Sequence, residues 1–143
     1  MNISLKRLLV VERMSEETLC FTADIALDGK VVGDVKNDGR GGCNLYHWND
    51  YALGAKIEAY AKSVDTSGYN FEHLDRLLDG MISKAQEEKQ FKRWCKTKVV
   101  FRLKGDKDGE WRTIKLLYNK AIHRPQLEKR YPNLEEVLNE RFA

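Results

Sequence analysis

The most unusual stretch of the sequence is a glycine-rich loop with the residue types to hold an anion. Gly39, Arg40, Gly41 and Gly42 follow one another. Glycine adopts positive φ at little cost and lets a ligand approach the backbone N–H groups closely. The planar, permanently charged guanidinium of Arg40 suits phosphate. The spacing is neither that of a P-loop nor that of a Rossmann turn. The loop therefore predicts a phosphate-binding site that belongs to neither of these two motifs. The alternative is that the glycines only allow the chain to turn at the end of a strand.

Aromatic and amide side chains follow this loop directly. Asn44, Tyr46, His47 and Trp48 stand within five positions, and such side chains stack on a base or hydrogen-bond to a ribose. The alternative is that Tyr46 and Trp48 pack on a sheet while His47 faces water. A nucleophilic pair of Cys43 with His47 lacks an orienting third group. The cluster therefore predicts ligand binding rather than catalysis.

A basic segment later in the chain is a second candidate for phosphate contacts. From Lys89 to Lys104 there are seven Lys and Arg residues, no acidic residue and three interleaved aromatic residues. Arg102 on the strand within it, and Arg112 on the strand predicted to pair with it, are expected to add charge to the ligand site. Binding of this kind would weaken strongly with salt. The alternative is a solvated basic face over a core that contains the aromatic residues.

Metal and cofactor chemistry has little support. The three histidines, His47, His73 and His123, stand far apart and form no ligand pair at metal-binding spacing. Four aspartates between residues 24 and 38 could be read as a carboxylate cluster, but no nuclease motif accompanies them. The sequence therefore predicts no metal, no cofactor and no catalytic residue.

Composition predicts a compact intracellular protein. Hydrophobic residues make up 42% and charged residues 33% of 143 residues, a balance typical of a globular chain. No apolar run approaches the roughly 20 residues of a membrane span. Three widely spaced cysteines without a C-x-x-C pair favour a reducing cytoplasm. We therefore expect a single cytoplasmic domain over residues 1–143. The net charge of +3 is too small to indicate a partner, although the basic residues concentrate late in the chain.

Hydrophobic periodicity predicts the elements that position these residues. Apolar residues alternate strictly from residue 19 to 27, and Asp28-Gly29 suits a type I′ turn into a partner strand from Lys30 to Lys36. With an earlier strand over residues 3–13, this gives a three-stranded meander. Leu45–Trp48 is only a short apolar piece before a helix capped by Asn49 or Asp50.

The rest of the chain predicts a longer helix, a hairpin and a final helix. Helical spacing resumes near Asn70, and residues 98–104 alternate again before a hairpin loop and a return strand over residues 110–116. A short helical piece over residues 126–131 follows. Asn133, with Glu136 at the capping-box position, predicts the start of the final helix. The predicted fold is α+β, in the order βββ-αα-ββ-α, with an antiparallel sheet and two to three packed helices.

The segment 28–42, DGKVVGDVKNDGRGG, resembles a segment of small proteins encoded by bacteriophages and other mobile elements. The stretch 95–106, CKTKVVFRLKGD, fits the same pattern. The resemblance covers a minor part of the chain and brings no active site with it. It implies the cytosol of a bacterial host, and a protein that inhibits a host defence factor or sequesters a nucleotide signal.

These observations predict a non-catalytic binding protein for a nucleotide or a nucleic acid, with a counter-defence role. The expected ligand-binding residues are Gly39, Arg40, Gly41, Gly42, Asn44, Tyr46, His47, Trp48, Arg102 and Arg112. One alternative is a protein–protein inhibitor of a host nucleic-acid-binding enzyme, and a second is an enzyme that acts on phosphoesters. A homo-oligomer is also expected if two protomers share the pocket.

Overall fold

A computed structural model describes residues 1–142, and its chain divides into two compact units. The first is Met1–Ser83 and the second begins at Lys84. Both contain antiparallel sheet and helix, so the predicted α+β class is confirmed. That the chain is a single domain stays a prediction.

The sheet of the first unit is a four-stranded meander. It consists of β1 (Ile3–Val10), β2 (Phe21–Leu27), β3 (Lys30–Asn37) and β4 (Leu45–Trp48), each antiparallel to the next. The prediction of three strands was therefore one strand short. The piece Leu45–Trp48 pairs with β3 because its side chains alternate between the two faces of the sheet.

Two helices supply the apolar partners of this sheet. α1 (Tyr51–Val64) begins after Asp50, whose carboxylate accepts the Ala52 N–H over 2.8 Å, which confirms the predicted cap. α2 (His73–Cys95) begins in this unit and continues into the second. Ile57 and Leu78 of these helices are fully buried in the core with the inner face of the sheet.

The second unit is built on a three-stranded antiparallel sheet. β5 (Val99–Leu103) lies between β6 (Arg112–Ile114) and β7 (Leu134–Val137), and α3 (Lys120–Arg130) supplies the buried Leu127 to its core. The predicted C-terminal hairpin is confirmed as β5 and β6. Within residues 1–142, no helix combines the length and the apolarity needed to cross a membrane.

The final helix predicted from Asn133 onward was wrong. Residues 134–137 form β7, and a short 3-10 helix (Leu138–Phe142) follows. The longer helix lies earlier, as α3, with the Asn119 side chain accepting the Ala121 N–H over 3.1 Å. Residues 134–137 form a strand because they supply backbone hydrogen-bond partners to the second edge of β5. This pairing with β5 outweighs the local helix-capping pattern at Asn133.

Candidate functional site

The glycine-rich loop folds around Gly39. Its carbonyl oxygen accepts the N–H groups of residues 16, 17 and 18, over 2.9, 2.9 and 3.3 Å. Its φ is +83°, and an added Cβ would collide with the Met14 carbonyl oxygen and lie 2.9 Å from the Cys20 Cβ. Glycine is therefore required here by a close approach of the backbone, whether or not a ligand binds.

The N–H groups of residues 39–41 already have partners inside the protein. They donate to side-chain oxygens of Asn37, Asp38 and Thr18, over 2.9, 3.2 and 3.3 Å in that order. An anion could reach these N–H groups only by breaking those bonds. The Arg40 side chain is exposed, and no hydrogen bond or ion pair within residues 1–142 fixes it.

A buried polar network ties the loop to α2. The Asn37 amide donates to the Gly42 carbonyl oxygen over 3.4 Å and to Asn44 Oδ1 over 3.1 Å. Asn44 Nδ2 donates to the Tyr46 hydroxyl over 3.3 Å, and that hydroxyl donates to Asp75 Oδ1 over 2.5 Å. Burial, and then the hydrogen bond to Asp75, raise the pKa of Tyr46 well above its ordinary value. Asn44 and Tyr46 are thus engaged in holding the loop.

An acidic cavity of about 480 Å³ adjoins the loop at residues 42–44. The carboxylates of Glu72, Asp75 and Asp79 line it, together with the single cation Arg76. Burial, and then the charges of Asp75 and Glu72, raise the pKa of Asp79. A cavity with this excess of negative charge disfavours phosphate. Within the described residues, these carboxylates do not form a group able to hold a metal ion.

The aromatic side chains and the histidine of β4 lie on opposite faces of the sheet. The rings of Tyr46 and Trp48 stack with centroids 5.8 Å apart and planes 1° apart, and Trp48 is buried against Gly54, where an added Cβ would lie 2.7 Å from its ring. His47 is exposed on the outer face, and its Nδ1 lies 3.2 Å from Asp34 Oδ1. Tyr46 and Trp48 therefore pack on the sheet while His47 faces water, which was the alternative to ligand binding. The structure does not bring these three side chains together around one ligand.

The two predicted arginines lie in the second unit and are engaged in ion pairs. Arg102 Nε lies 2.8 Å from Glu135 Oε2, although no hydrogen bond forms there, and its guanidinium stands 5.6 Å from the centre of the Trp111 ring. Arg112 donates two N–H groups to the Asp106 carboxylate, each over 3.0 Å. These bonds hold the pKa of Asp106 at about 2.

Sequence reasoning assigned no role to Asp65, which directly follows the last residue of α1. This carboxylate is largely buried and lies 2.6 Å from His73 Nδ1 and 3.0 Å from Arg76 Nη2. It also accepts the Ser67 N–H over 2.8 Å. The hydrogen bond from His73 is the main cause of a strongly lowered pKa of Asp65. The Asp-x-Ser spacing indicates a local turn, but the sequence has no signal for the distant partners.

Asp65→Asn is expected to lower the midpoint of thermal unfolding at pH 7, because it removes the charge that His73 and Arg76 face. A carboxylate whose pKa is lowered by folding stabilises fully above its unfolded pKa of about 3.9, and this contribution is lost as the pH falls toward the folded value. Melting curves from pH 7 to pH 2.5 would measure it. The variant should show the flatter pH profile, while the exposed cap variant Asp50→Asn should keep the profile of the wild type. Identical profiles for the Asp65 variant and the wild type would contradict this role.

Charge is divided unevenly between the units. Residues 1–83 contain 9 Lys and Arg against 13 Asp and Glu, a net charge of −4, whereas residues 84–143 contain 16 against 9, a net charge of +7. In the second unit, seven of the nine acidic side chains lie in ion pairs with six cations. Within residues 84–142, ten cations have no carboxylate partner: Lys84, Lys89, Arg93, Lys96, Lys98, Lys104, Lys107, Lys115, Lys129 and Arg130.

Three of these cations form a line along α2, here called the helix stripe: Lys89, Arg93 and Lys96. Two of them belong to the helix and Lys96 follows its last residue, at i, i+4 and i+7, and all three are exposed. That spacing puts them on one side of the helix over about 10 Å. The aromatic residues between them turn inward: Phe91 is buried and Trp94 is half-buried. The basic segment therefore offers charge to a ligand, whereas its aromatic rings belong to the core.

The glycine loop and the helix stripe are thus two candidate sites with different electrostatics. The loop has its N–H groups satisfied and lies beside an acidic cavity, whereas the stripe is exposed and without carboxylate partners among the described residues. The phage resemblance stays a prediction. No family model matches the chain, and searches of curated proteins and of solved structures found no match either.

Proposed function

We propose that this chain is a non-catalytic nucleic-acid-binding protein that contacts the phosphate backbone through the helix stripe and neighbouring cations of its second unit. The observation that carries the proposal is the charge balance of that unit. Within residues 84–142, ten cations lack a carboxylate partner, whereas only two acidic residues, Glu87 and Glu110, lack a cation. Clustered cations without internal partners release the counterions of a polyanion when they bind it.

A polymer suits these cations better than a single nucleotide does. The helix stripe extends over about 10 Å of an exposed helix surface, so it can contact several phosphates in a row. A mononucleotide would depend instead on Arg40 and the glycine loop, where the N–H groups are occupied and acidic side chains line the adjacent cavity. The charge distribution therefore favours a nucleic acid over a single nucleotide as the phosphate-bearing ligand.

The expected recognition is of the backbone rather than of base sequence. The aromatic rings nearest to the stripe pack in a core cluster, where Phe91 is buried and Trp94 and Trp111 are partly buried, so they offer bases little surface for stacking. Contacts from Lys and Arg to phosphate carry no sequence information. We therefore expect non-specific binding with a Kd of about 10⁻⁴–10⁻⁶ M at physiological salt.

Replacing the helix stripe tests the proposal directly. Fluorescence anisotropy with labelled single- and double-stranded oligonucleotides would compare the wild type with Lys89→Ala/Arg93→Ala/Lys96→Ala over a range of salt concentrations. We expect at least tenfold weaker binding at low salt, and a plot of log K against log salt that is shallower by about 2–3, because each lost phosphate contact removes about 0.7–0.9 from the slope.

The matched control removes the same charge from the first unit. Lys30→Ala/Lys56→Ala/Lys62→Ala replaces three exposed cations there, and it should keep most of the affinity. An equal loss from both triple variants would mean that only net charge matters, and no binding by the wild type would refute the proposal. A complex with an acidic host protein in place of oligonucleotide binding would support the inhibitor alternative. Nucleotide binding abolished by Arg40→Ala would support the glycine loop.

A further inference from the structure

The outer face of the first unit's sheet carries an exposed apolar patch. The strand register places Leu9, Thr22, Lys36 and Leu45 in one row across the four strands. Leu9 and Leu45 are each 60% exposed, and Met14, from the 3-10 turn after β1, is 50% exposed. Three large apolar side chains from three different elements therefore stand together in water.

These side chains border a depression of about 330 Å³. Val11 and Cys20 also line it, and Lys36 and Asp38 contribute its charged groups. Exposed apolar surface with a polar rim is typical of an interaction site rather than of an ordinary solvated face. The helices cover only the inner face of this sheet, where the core residues lie.

Charge on this face is balanced. The row of Leu9 is joined by a second row, Lys6, Asp24, Asp34 and His47. Together with Arg7, in the irregular part of β1, and the adjoining Asp38, the face has three Lys or Arg residues and three carboxylates. Two of the carboxylates have partners on the same face, since Arg7 Nη2 lies 2.6 Å from Asp24 and His47 Nδ1 lies 3.2 Å from Asp34. Lys36 and Asp38 have no ion-pair partner among the described residues. A balanced face suits a second face of the same composition better than it suits a strongly charged partner.

We propose that this face docks a second copy of the chain in a two-fold dimer. Such a contact pairs the same surface from both protomers, so Leu9, Met14 and Leu45 of one protomer would bury those of its partner. Lys36 and Asp38 have opposite signs on one patch, which makes the patch self-complementary in charge. The proposal concerns the first unit and does not depend on nucleic-acid binding by the second.

The size of the face sets the expected strength. Three strands of seven or eight residues and the four-residue β4, spaced about 4.8 Å apart, give a footprint of roughly 430 Å² per protomer. Two such faces together bury about 860 Å², less than the roughly 1,200 Å² of a stable specific interface, so we expect a weak, reversible dimer.

Sedimentation equilibrium of the full chain, without nucleic acid, tests the dimer. The wild type should rise from the 16.6 kDa monomer toward twice that mass with increasing concentration. Leu45→Lys should raise the dissociation constant at least tenfold. The matched control Leu117→Lys changes another exposed leucine, 72% exposed in the second unit, and should leave self-association unchanged.

Exchanging the charges at positions 36 and 38 provides a second test of the dimer that leaves the apolar residues unchanged. Lys36→Asp should weaken self-association, and Lys36→Asp/Asp38→Lys should restore it, with circular dichroism confirming that each variant is folded. A monomer at every concentration up to about 1 mM would overturn the proposal and leave the face to a different protein. A dimer that neither Leu45→Lys nor Lys36→Asp weakens would overturn it equally.

Discussion

Gly39→Ala is expected to lower the free energy of unfolding by about 2–5 kcal/mol, from a backbone strain of about 1–2 kcal/mol and an overpacking cost of about 1–3 kcal/mol. The strain arises because φ at this position is +83°. The overpacking arises because the new Cβ would meet the Met14 carbonyl oxygen and the Cys20 Cβ. Neither neighbour is the free end of a flexible side chain, so the loop itself would have to move. Urea unfolding followed by circular dichroism measures the change.

Gly42→Ala is the matched control in the same loop. Its φ is +94°, but no atom lies within 4 Å of the added Cβ. Only the backbone strain remains, and the expected loss is about 1–2 kcal/mol. Similar losses for the two variants would show that the close approach at Gly39 contributes nothing. The expected difference would instead mean that one glycine of the loop serves packing and the other only the turn.

Asn139→Ala is expected to cost about 3 kcal/mol, because it leaves buried backbone groups without partners at about 1–3 kcal/mol each. This buried side chain accepts the Val100 N–H over 2.7 Å and donates to the Lys98 carbonyl oxygen, also over 2.7 Å. It thereby joins the last 3-10 helix to the start of β5. Loss of both bonds should loosen the second unit and lower its resistance to urea.

Asn133→Ala provides the comparison, since Asn133 is an exposed asparagine that also bonds to backbone. Its Nδ2 donates to the Lys104 carbonyl oxygen over 3.4 Å at a site open to water. Water can replace that bond, so the expected loss is below about 0.5 kcal/mol. If Asn133→Ala were as damaging as Asn139→Ala, burial could not be the reason for the larger effect. Near-ultraviolet circular dichroism during urea unfolding would compare the two variants.

The two asparagines also show where sequence reasoning reached its limit. Asn133 has the spacing of a helix cap, and the sequence pattern singled it out, yet it precedes a strand. Asn139 has no pattern around it, and it is the one that is buried. A capping box describes only hydrogen bonds between side chains and backbone N–H groups within four consecutive residues. The second edge of β5 lies more than thirty residues away in the chain, and its need for partners leaves no mark near Asn133.

The glycine loop shows the same limit at the candidate site. Glycine content correctly indicated positive φ, because that property belongs to each residue by itself. Whether the loop's N–H groups are free for an anion depends on which side chains come near them. Thr18 and Asn37 fill that role, and the cavity acids lie in the first turns of α2 or just before it, some thirty residues further along the chain. Sequence spacing could not show these contacts.

The sequence by itself determined the features that depend on neighbouring residues. These are the alternation of β2, its hairpin with β3, a cap of α1 at Asn49 or Asp50, the hairpin of β5 and β6, and the concentration of positive charge late in the chain. The tertiary structure alone decided which polar groups are left without partners. Ion pairing consumes most of the acids of the second unit, and internal hydrogen bonds occupy the loop of the first. Pairing of this kind depends on distances in space, and so the set of cations without a carboxylate partner among the described residues emerged only from the folded chain.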